Sequence, residues 1–275
     1  MTIDEAVRYI RSQPLYADLV RDAYLGRDVA DSARRFADSA EFGAVRRLIS
    51  NHIDGAVALD LGAGTGIGSF ALARAGAKLL YALEPDPSDE VGQGAIRRLA
   101  VDLPIQILEA EGEAIPLPDG SVDIVYSRQV LHHIRDLPRA MAECARVLRH
   151  GGLFIACREH VVDDSDQLDT FLAAHPMHQL AGGENAYSLA AYLDAIRGSG
   201  MTMKQVIKPW DSVVNAFPAV RSDAEMQSLP ERRLREQFGT LGAIAGRIAP
   251  LRKLAWARIT RPLPGRMYSF VAVKA

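Results

Sequence analysis

Between residues 56 and 160, short apolar runs alternate with helical stretches, and this limits the fold more than any other feature. The runs are "AVALDL" (56–61), "KLLYALE" (78–84), "IQILEA" (105–110), "VDIVYS" (122–127) and "GGLFIACRE" (151–159). Each is too short for a helix and rich in residues that suit a sheet buried on both faces. Between them lie helical stretches such as "SFALARAG", "SDEVGQGAIRRLA" and "LPRAMAECARVLR", the last with Pro138 in its first turn. Strands alternating with helices imply a parallel sheet covered on both faces, with right-handed connections. Residues before 52 read as helical, from Ile3, Val7 and Ile10 and again from Phe42, Val45 and Ile49. Later, "YSLAAYLDAIRGSG" reads as a helix capped by Ser188, "MTMKQVIKPW" as a strand, 218–262 as a helical insertion and "MYSFVAVKA" as a terminal strand. The expected fold is α/β: a Rossmann-like, doubly wound, mostly parallel seven-stranded sheet. Residues 1–52 form a helical cap and 53–275 the main domain, with the insertion before the last strand.

Ligands of such sheets bind beyond the carboxyl ends of the strands. There the chain places "ALDLGAGTG", in which Asp60 ends the first strand and Gly62, Gly64 and Gly66 follow at every second position. Glycine lets the backbone turn tightly and lie against a ligand. A dinucleotide asks for G-x-G-x-x-G, and here Ile67 or Ser69 stands where the third glycine is needed. A carboxylate at Asp60 repels a pyrophosphate and suits a cationic, nucleoside-like ligand, although it can also simply cap the loop.

On these residues the sequence resembles the class I S-adenosylmethionine-dependent methyltransferases, of the type 11 kind, well over about 56–160 and weakly elsewhere. The resemblance implies S-adenosylmethionine as cofactor, bound by Asp60, Gly62, Ala63, Gly64 and Gly66. It implies that Glu84, followed by Pro85, accepts the ribose hydroxyls, a charge-assisted contact worth about 1.5–3 kcal/mol. NAD enzymes use an acid at the same place, so Glu84 alone does not discriminate. In "EAEGEAIPLPDGSVD" Glu111 would take the adenine amine and the Gly112 N–H a ring nitrogen; glutamate replaces the usual aspartate, and Glu111 and Glu113 can exchange roles. In "YSRQVLHH" the residues after the fourth strand, Ser127, Arg128 and Gln129, would pass beside the sulfonium. His150 stands where a proline is frequent, which touches turn geometry rather than chemistry.

His132 and His133 open the next helix near the expected methyl donor, and His160 ends the fifth strand beside Glu159. Each histidine is a candidate general base, because imidazole titrates near neutrality; packing under the loop is the plainer role. "GGENAYSLAAYL" (182–193) either presents polar groups to a substrate or caps a helix through Asn185 or Ser188. In "RRFADSAEF" Phe36 and Phe42 read as core, and Arg34, Arg35 and Glu41 as surface, within a segment that can close as a lid. No metal-binding spacing is visible.

Composition narrows the classes further. The chain has 275 residues, is 48% hydrophobic and carries a formal net charge of -2. No overall charge therefore draws it to nucleic acid or membrane. Asp4 and Glu5 oppose a signal peptide, no run is long enough to span a bilayer, and the two cysteines, Cys144 and Cys157, suggest a reducing cytoplasmic setting. Arg221, Arg232, Arg233, Arg235, Arg247, Arg252, Lys253, Arg258, Arg261 and Arg266 make 221–266 basic. With Leu241, Ile244, Ile248, Leu251, Leu254 and Trp256 interleaved, it reads as an amphipathic helix pair packed on its apolar stripe. Its charged face reads as a solvated one, and is otherwise suited to a membrane surface, an anionic acceptor or nucleic acid.

The expected function is methyl transfer to a small or medium-sized acceptor by in-line displacement, releasing S-adenosylhomocysteine. Competing readings are a catalytically silent S-adenosylmethionine-binding protein and a nicotinamide-dependent oxidoreductase. A nucleic-acid methyltransferase is a further one, disfavoured because no Asn/Asp-Pro-Pro-aromatic run follows the fourth strand. Acceptor and oligomeric state are not legible.

Overall fold

The computed structural model describes residues 1–259 and 263–275. Helices α1 (Ile3–Ser12), α2 (Ala17–Asp22), α3 (Val29–Ala37) and α4 (Ala40–Ile49) precede the sheet. Thr2 and Glu5 form a reciprocal capping box at α1, and Ser39 caps α4 by accepting from the Phe42 amide. The alternating region follows as β1 (Val57–Leu61), α5 (Ile67–Ala75), β2 (Leu79–Leu83), α6 (Gln93–Leu99), β3 (Ile105–Leu108), β4 (Val122–Arg128), α7 (Leu137–Val147) and β5 (Leu148–Val161). Then come α8 (Ser165–Ala174), α9 (Pro176–Ala181), α10 (Leu189–Gly198), β6 (Met201–Ile207), α11 (Val213–Ala216), α12 (Asp223–Arg247), α13 (Ala249–Ile259) and β7 (Arg266–Lys274).

The seven-stranded sheet has the order β3-β2-β1-β4-β5-β7-β6. β1 to β5 run parallel, and β7 is antiparallel to both β5 and β6. This is the doubly wound sheet that the strand–helix alternation predicts. Chain order reverses between β1 and β4, so a crevice opens between their carboxyl ends.

Side chains alternate across each strand. In β1, Ala58 joins one buried cluster with Phe36, Phe42, Ile49, Leu72 and Tyr126, while Leu59 and Leu61 join the opposite one with Leu131, Met141, Tyr192 and Phe270. Helices α3 and α4 are thus part of the first core.

Three expectations need correction. Glu41 is not a surface residue: it is 1% exposed, because Arg128 and Arg158 reach it from the sheet. Helix α6 is shorter than "SDEVGQGAIRRLA" suggests, starting only at Gln93. In the insertion, Leu241, Ile244, Ile248, Leu251 and Leu254 are exposed rather than packed, whereas Val220, Leu229 and Leu234 are buried, and Gly239 breaks the helical backbone between Leu234 and Leu241. Arg261 and the side chain of Arg258 lie outside the described residues.

Candidate active site

Two cavities meet at the carboxyl ends of β1 and β4. The larger, about 730 Å³, is walled by Gly62, Gly64, Glu84, Pro85, Glu111 and Gly112, with Leu61 and Ile134 as apolar floor. The smaller, about 320 Å³, is walled by Asp60, Ala63, Arg128, His132, His160 and Glu184 among others. Gly62, Gly64, Gln129 and His133 belong to both walls, so the cavities adjoin there.

The glycine loop shapes the partition. Gly62 has φ +64°, and a Cβ there would lie 2.6 Å from Val130 Cγ1, so only glycine lets the loop pass. The Gly64 amide donates to Glu84 Oε2 at 2.7 Å, and the Asp86 amide donates to Oε1 at 2.9 Å. These two bonds aim the Glu84 carboxylate along the wall and leave lone pairs toward the cavity. Burial raises its pKa above the ordinary glutamate value, against the pull of the two amides.

Glu111 and Glu113 divide their work. Glu113 Oε1 accepts from the amides of Arg135 and Asp136, each at 3.2 Å, which commits it to the loop before α7. Glu111 stays exposed on the cavity wall. Gly112 is buried, its Cα wedged so that a Cβ would meet Leu61 and Ile134 at 3.2 and 3.3 Å.

Asp60 faces the other way from Leu59 and Leu61, under the first turn of α5, where it accepts from Ser69 Oγ at 2.7 Å. It is 3% exposed, and burial pushes its pKa up to about 7. It opens on the smaller cavity, not beside Glu84. Gly66 lines neither cavity: it sits at the start of α5, packed on Ile96. Ser127 also lines neither; it is buried in β4 and its neighbours Arg128 and Gln129 reach the smaller cavity instead.

A bulge in β5 supplies the far wall. The pairing with β7 slips by one residue between Ala156 and Glu159, and Arg158 takes φ +62°. Bulges re-aim side chains, and here Glu159 and His160 arrive beside His132. His132 Nδ1 lies 2.8 Å from Glu159 Oε2, and Glu159 also accepts from the amides of Val130 and His132 at 3.2 Å. Burial pushes His132 down to about 3 and Glu159 up to about 6. The pair is therefore a neutral imidazole whose Nδ1–H donates to a carboxylate, with Nε2 turned to the cavity. His160 donates from Nδ1 to the Gly265 carbonyl at 2.7 Å, and burial pushes it to about 3 as well.

Two residues that the sequence reading did not single out complete this wall. Glu184 reaches in from the loop before α10, and His175 from the start of α9. In "GGENAYSLAAYL" Glu184 faces the cavity, Ser188 caps α10 and Tyr187 donates to the Ile134 carbonyl. The signal was Glu184 itself, a carboxylate in a glycine-flanked loop, but nothing in the sequence ties it to His132.

The donor set fits a cationic nucleoside better than a diphosphate. Five carboxylates, Glu84, Asp86, Glu111, Glu113 and Asp136, line the larger cavity against two guanidinium groups, Arg135 and Arg139.

Residues 59–156 match the family model described as a methyltransferase domain. Residues 59–156 thus form a methyltransferase domain. A probable S-adenosylmethionine-dependent methyltransferase of Mycolicibacterium smegmatis is 33% identical over 135 residues, covering 40% of this chain and 52% of the relative. The ubiquinone biosynthesis O-methyltransferase of Rhizobium etli is 29% identical over 136 residues, 49% of this chain and 54% of that one. The chain thus spans about half the length of these relatives. Among solved structures, an S-adenosylmethionine-dependent methyltransferase from Mesorhizobium loti superposes with a TM-score of 0.58 at 20% identity, covering 86% of this chain and 99% of that one. That likeness places the methyltransferase domain's fold. The matched segment contains the glycine loop, Glu84, Glu111 and the His132 turn, and ends before Glu159 and Glu184.

Proposed function

We propose that the protein transfers a methyl group from S-adenosylmethionine to a small or medium-sized acceptor. The observation that carries this reading is the junction of the two cavities at Gly62, Gly64, Gln129 and His133. One cavity suits the nucleoside, the other an acceptor, and they share a wall at the switch point of the sheet. When bound, S-adenosylmethionine supplies a methyl group already activated by a sulfonium.

The chain's residues then have mainly to align and to exclude water, which in favourable systems supplies about 7–11 kcal/mol. Glu84 holds the ribose diol, with Pro85 stiffening the turn after it. Glu111 and the Gly112 amide hold the base. The Gly62–Gly64 backbone passes between the cavities, and Asp60 and Arg128 set the charge beside that passage. His132, oriented by Glu159, and His160, oriented by Gly265, present Nε2 to the acceptor and can hold its hydroxyl or amine. His133 closes the same side. α1 to α4 act as a cap over the crevice, because Leu19, Ala23 and Leu25 reach the smaller cavity. The basic insertion, with Leu241, Ile244 and Leu254 exposed among its arginines, offers a surface for an anionic acceptor or a membrane face. No described helix is long and apolar enough to cross a membrane. Cys144 and Cys157 are free and buried, in keeping with a cytoplasmic setting.

Calorimetry tests the reading. S-adenosylhomocysteine is expected to bind and NADH not to; the opposite pattern removes it. A tritiated-methyl transfer screen over a small-molecule extract then separates an enzyme from a silent binding protein.

A further inference from the structure

The histidine side of the smaller cavity has a geometry that acceptor binding alone does not require. His132 Nε2 and His133 Nε2 each stand 3.7 Å from Glu184 Oε2. That is too long for a hydrogen bond. One donor atom from each of the three residues lies within 4.8 Å of the others, and among the described residues this is the group able to hold a metal ion. Bonds of about 2.0–2.2 Å at tetrahedral angles put neighbouring ligand atoms roughly 3.4 Å apart. Glu184 therefore stands within a few tenths of an ångström of the required spacing from each histidine. His133 is exposed and can close the remaining distance without disturbing the core.

The far side of each ring is also arranged for coordination. His132 Nδ1 is held by buried Glu159 at 2.8 Å, and His133 Nδ1 faces the Gly183 carbonyl at 3.3 Å. Ligating histidines almost always donate their second ring N–H to a carboxylate or a backbone carbonyl, which fixes the free nitrogen toward the ion. Both partner types occur here. His175 Nδ1, 3.7 Å from the second oxygen of Glu184, is buried with no hydrogen-bond partner.

We propose that His132, His133 and Glu184 bind a divalent transition-metal ion in the smaller cavity. Two imidazoles and one carboxylate leave further coordination positions open, the pattern of sites that hold an exchangeable ligand. Of the three, His133 also lines the larger cavity, so the group borders the junction. Resting on the acceptor reading of this cavity, the site selects acceptors with an acidic hydroxyl, such as a phenol or an enol. Such a hydroxyl gives its proton to water on binding, and the oxygen keeps the electron pair with which it attacks the methyl carbon.

The test uses the untagged full chain and cobalt(II) chloride alone. One equivalent is expected to bind with visible absorption bands of nitrogen and oxygen coordination, displaced by zinc(II). His133→Ala and Glu184→Gln should each weaken binding at least tenfold, and Glu159→Gln, which removes the orienting carboxylate, by about 10–100-fold. His133 is exposed and Glu184 lies on a loop, so these variants should keep the wild-type melting curve. Should a variant fail to fold, ring-nitrogen NMR of the wild-type chain still decides: cobalt must broaden the His132 and His133 signals first. No saturable binding, or binding that none of the variants alters, overturns the proposal. Titration with S-adenosylhomocysteine in parallel separates the two readings, because donor binding does not involve Glu184. Metal binding without it would sink methyl transfer alone, and the reverse would sink the metal site alone.

Discussion

Arg128 donates from Nε to Glu41 Oε1 at 2.7 Å and from Nη2 to Oε2 at 3.3 Å, tying the end of β4 to α4. Arg158 Nε approaches the same Oε1 at 3.6 Å while its Nη1 donates to the carbonyls of Val214 and Phe217. The Arg128 guanidinium also lies 5.6 and 5.2 Å from the centres of the Tyr24 and Phe36 rings. One carboxylate thus offsets two buried cations where the N-terminal helices meet the sheet. Removing one partner of such a group strands the others, at about 3–5 kcal/mol. Glu41→Gln is expected to lower unfolding stability by about 3 kcal/mol or more in urea titrations. Glu41→Leu combined with Arg128→Met should recover part of that loss; a loss equal to that of the single variants would show that the contacts matter less than the packing.

Glu84 gives the most direct check on the donor site. Its carboxylate holds the Gly64 and Asp86 amides and turns its remaining lone pairs to the larger cavity. Glu84→Ala is expected to weaken S-adenosylhomocysteine binding about tenfold or more, or about 1.4 kcal/mol. Glu84→Gln should lose less, because the amide oxygen can still accept from one partner. Calorimetry reads both, and an unchanged dissociation constant in the alanine variant removes the ribose assignment.

The sheet was legible because short apolar runs between helices admit few arrangements, and each of the seven strands lies where such a run stands. Ser188 as a helix cap was legible for a similar reason: capping is local chemistry. Glu41 was not, since its partner lies 87 positions away and a glutamate on an otherwise amphipathic helix reads as solvent-facing. The His132–Glu184 group escaped for the same reason. Its members come from the turn after β4 and the loop before α10, and only the fold brings them together. Helices α8 and α9 leave little trace in the sequence, because 162–181 mixes polar and apolar residues without a clear period. In the insertion, the apolar periodicity does not report packing, since α12 and α13 turn much of their apolar stripe outward.

Gly62 separates steric from conformational demand. An alanine there faces φ +64° and a Cβ 2.6 Å from Val130 Cγ1. The left-handed backbone costs about 1–2 kcal/mol, and overpacking typically another 1–3 kcal/mol. Gly62→Ala is expected to lower stability by about 2–5 kcal/mol and to weaken donor binding, because the loop shifts between the two cavities. Adding Val130→Ala should return the steric share only. A double-mutant cycle on denaturant midpoints measures that coupling, and a coupling near zero would mean that Val130 yields freely.

Asp60 ties stability to pH. Burial raises its pKa from the ordinary value of 3.8 to about 7, so the folded protein favours the neutral acid. An acid with a raised folded pKa contributes stability that is full below the unfolded pKa, falls as pH rises and is gone above the folded one. The window is therefore about pH 4 to 7, and across it the change amounts to roughly 4 kcal/mol at about 1.4 kcal/mol per unit. Asp60→Asn removes this dependence. Without ligand, the variant is expected to melt higher than the wild type at pH 8 and to lose that advantage at pH 4. If the carboxylate also serves a cationic donor, the same variant should bind S-adenosylmethionine more weakly at pH 8 although it is the more stable protein, a trade of stability for charge at the site. Thermal melts at the two pH values, with calorimetry at pH 8, check both halves; a variant less stable at pH 8 would show that the Ser69 bond outweighs the buried charge.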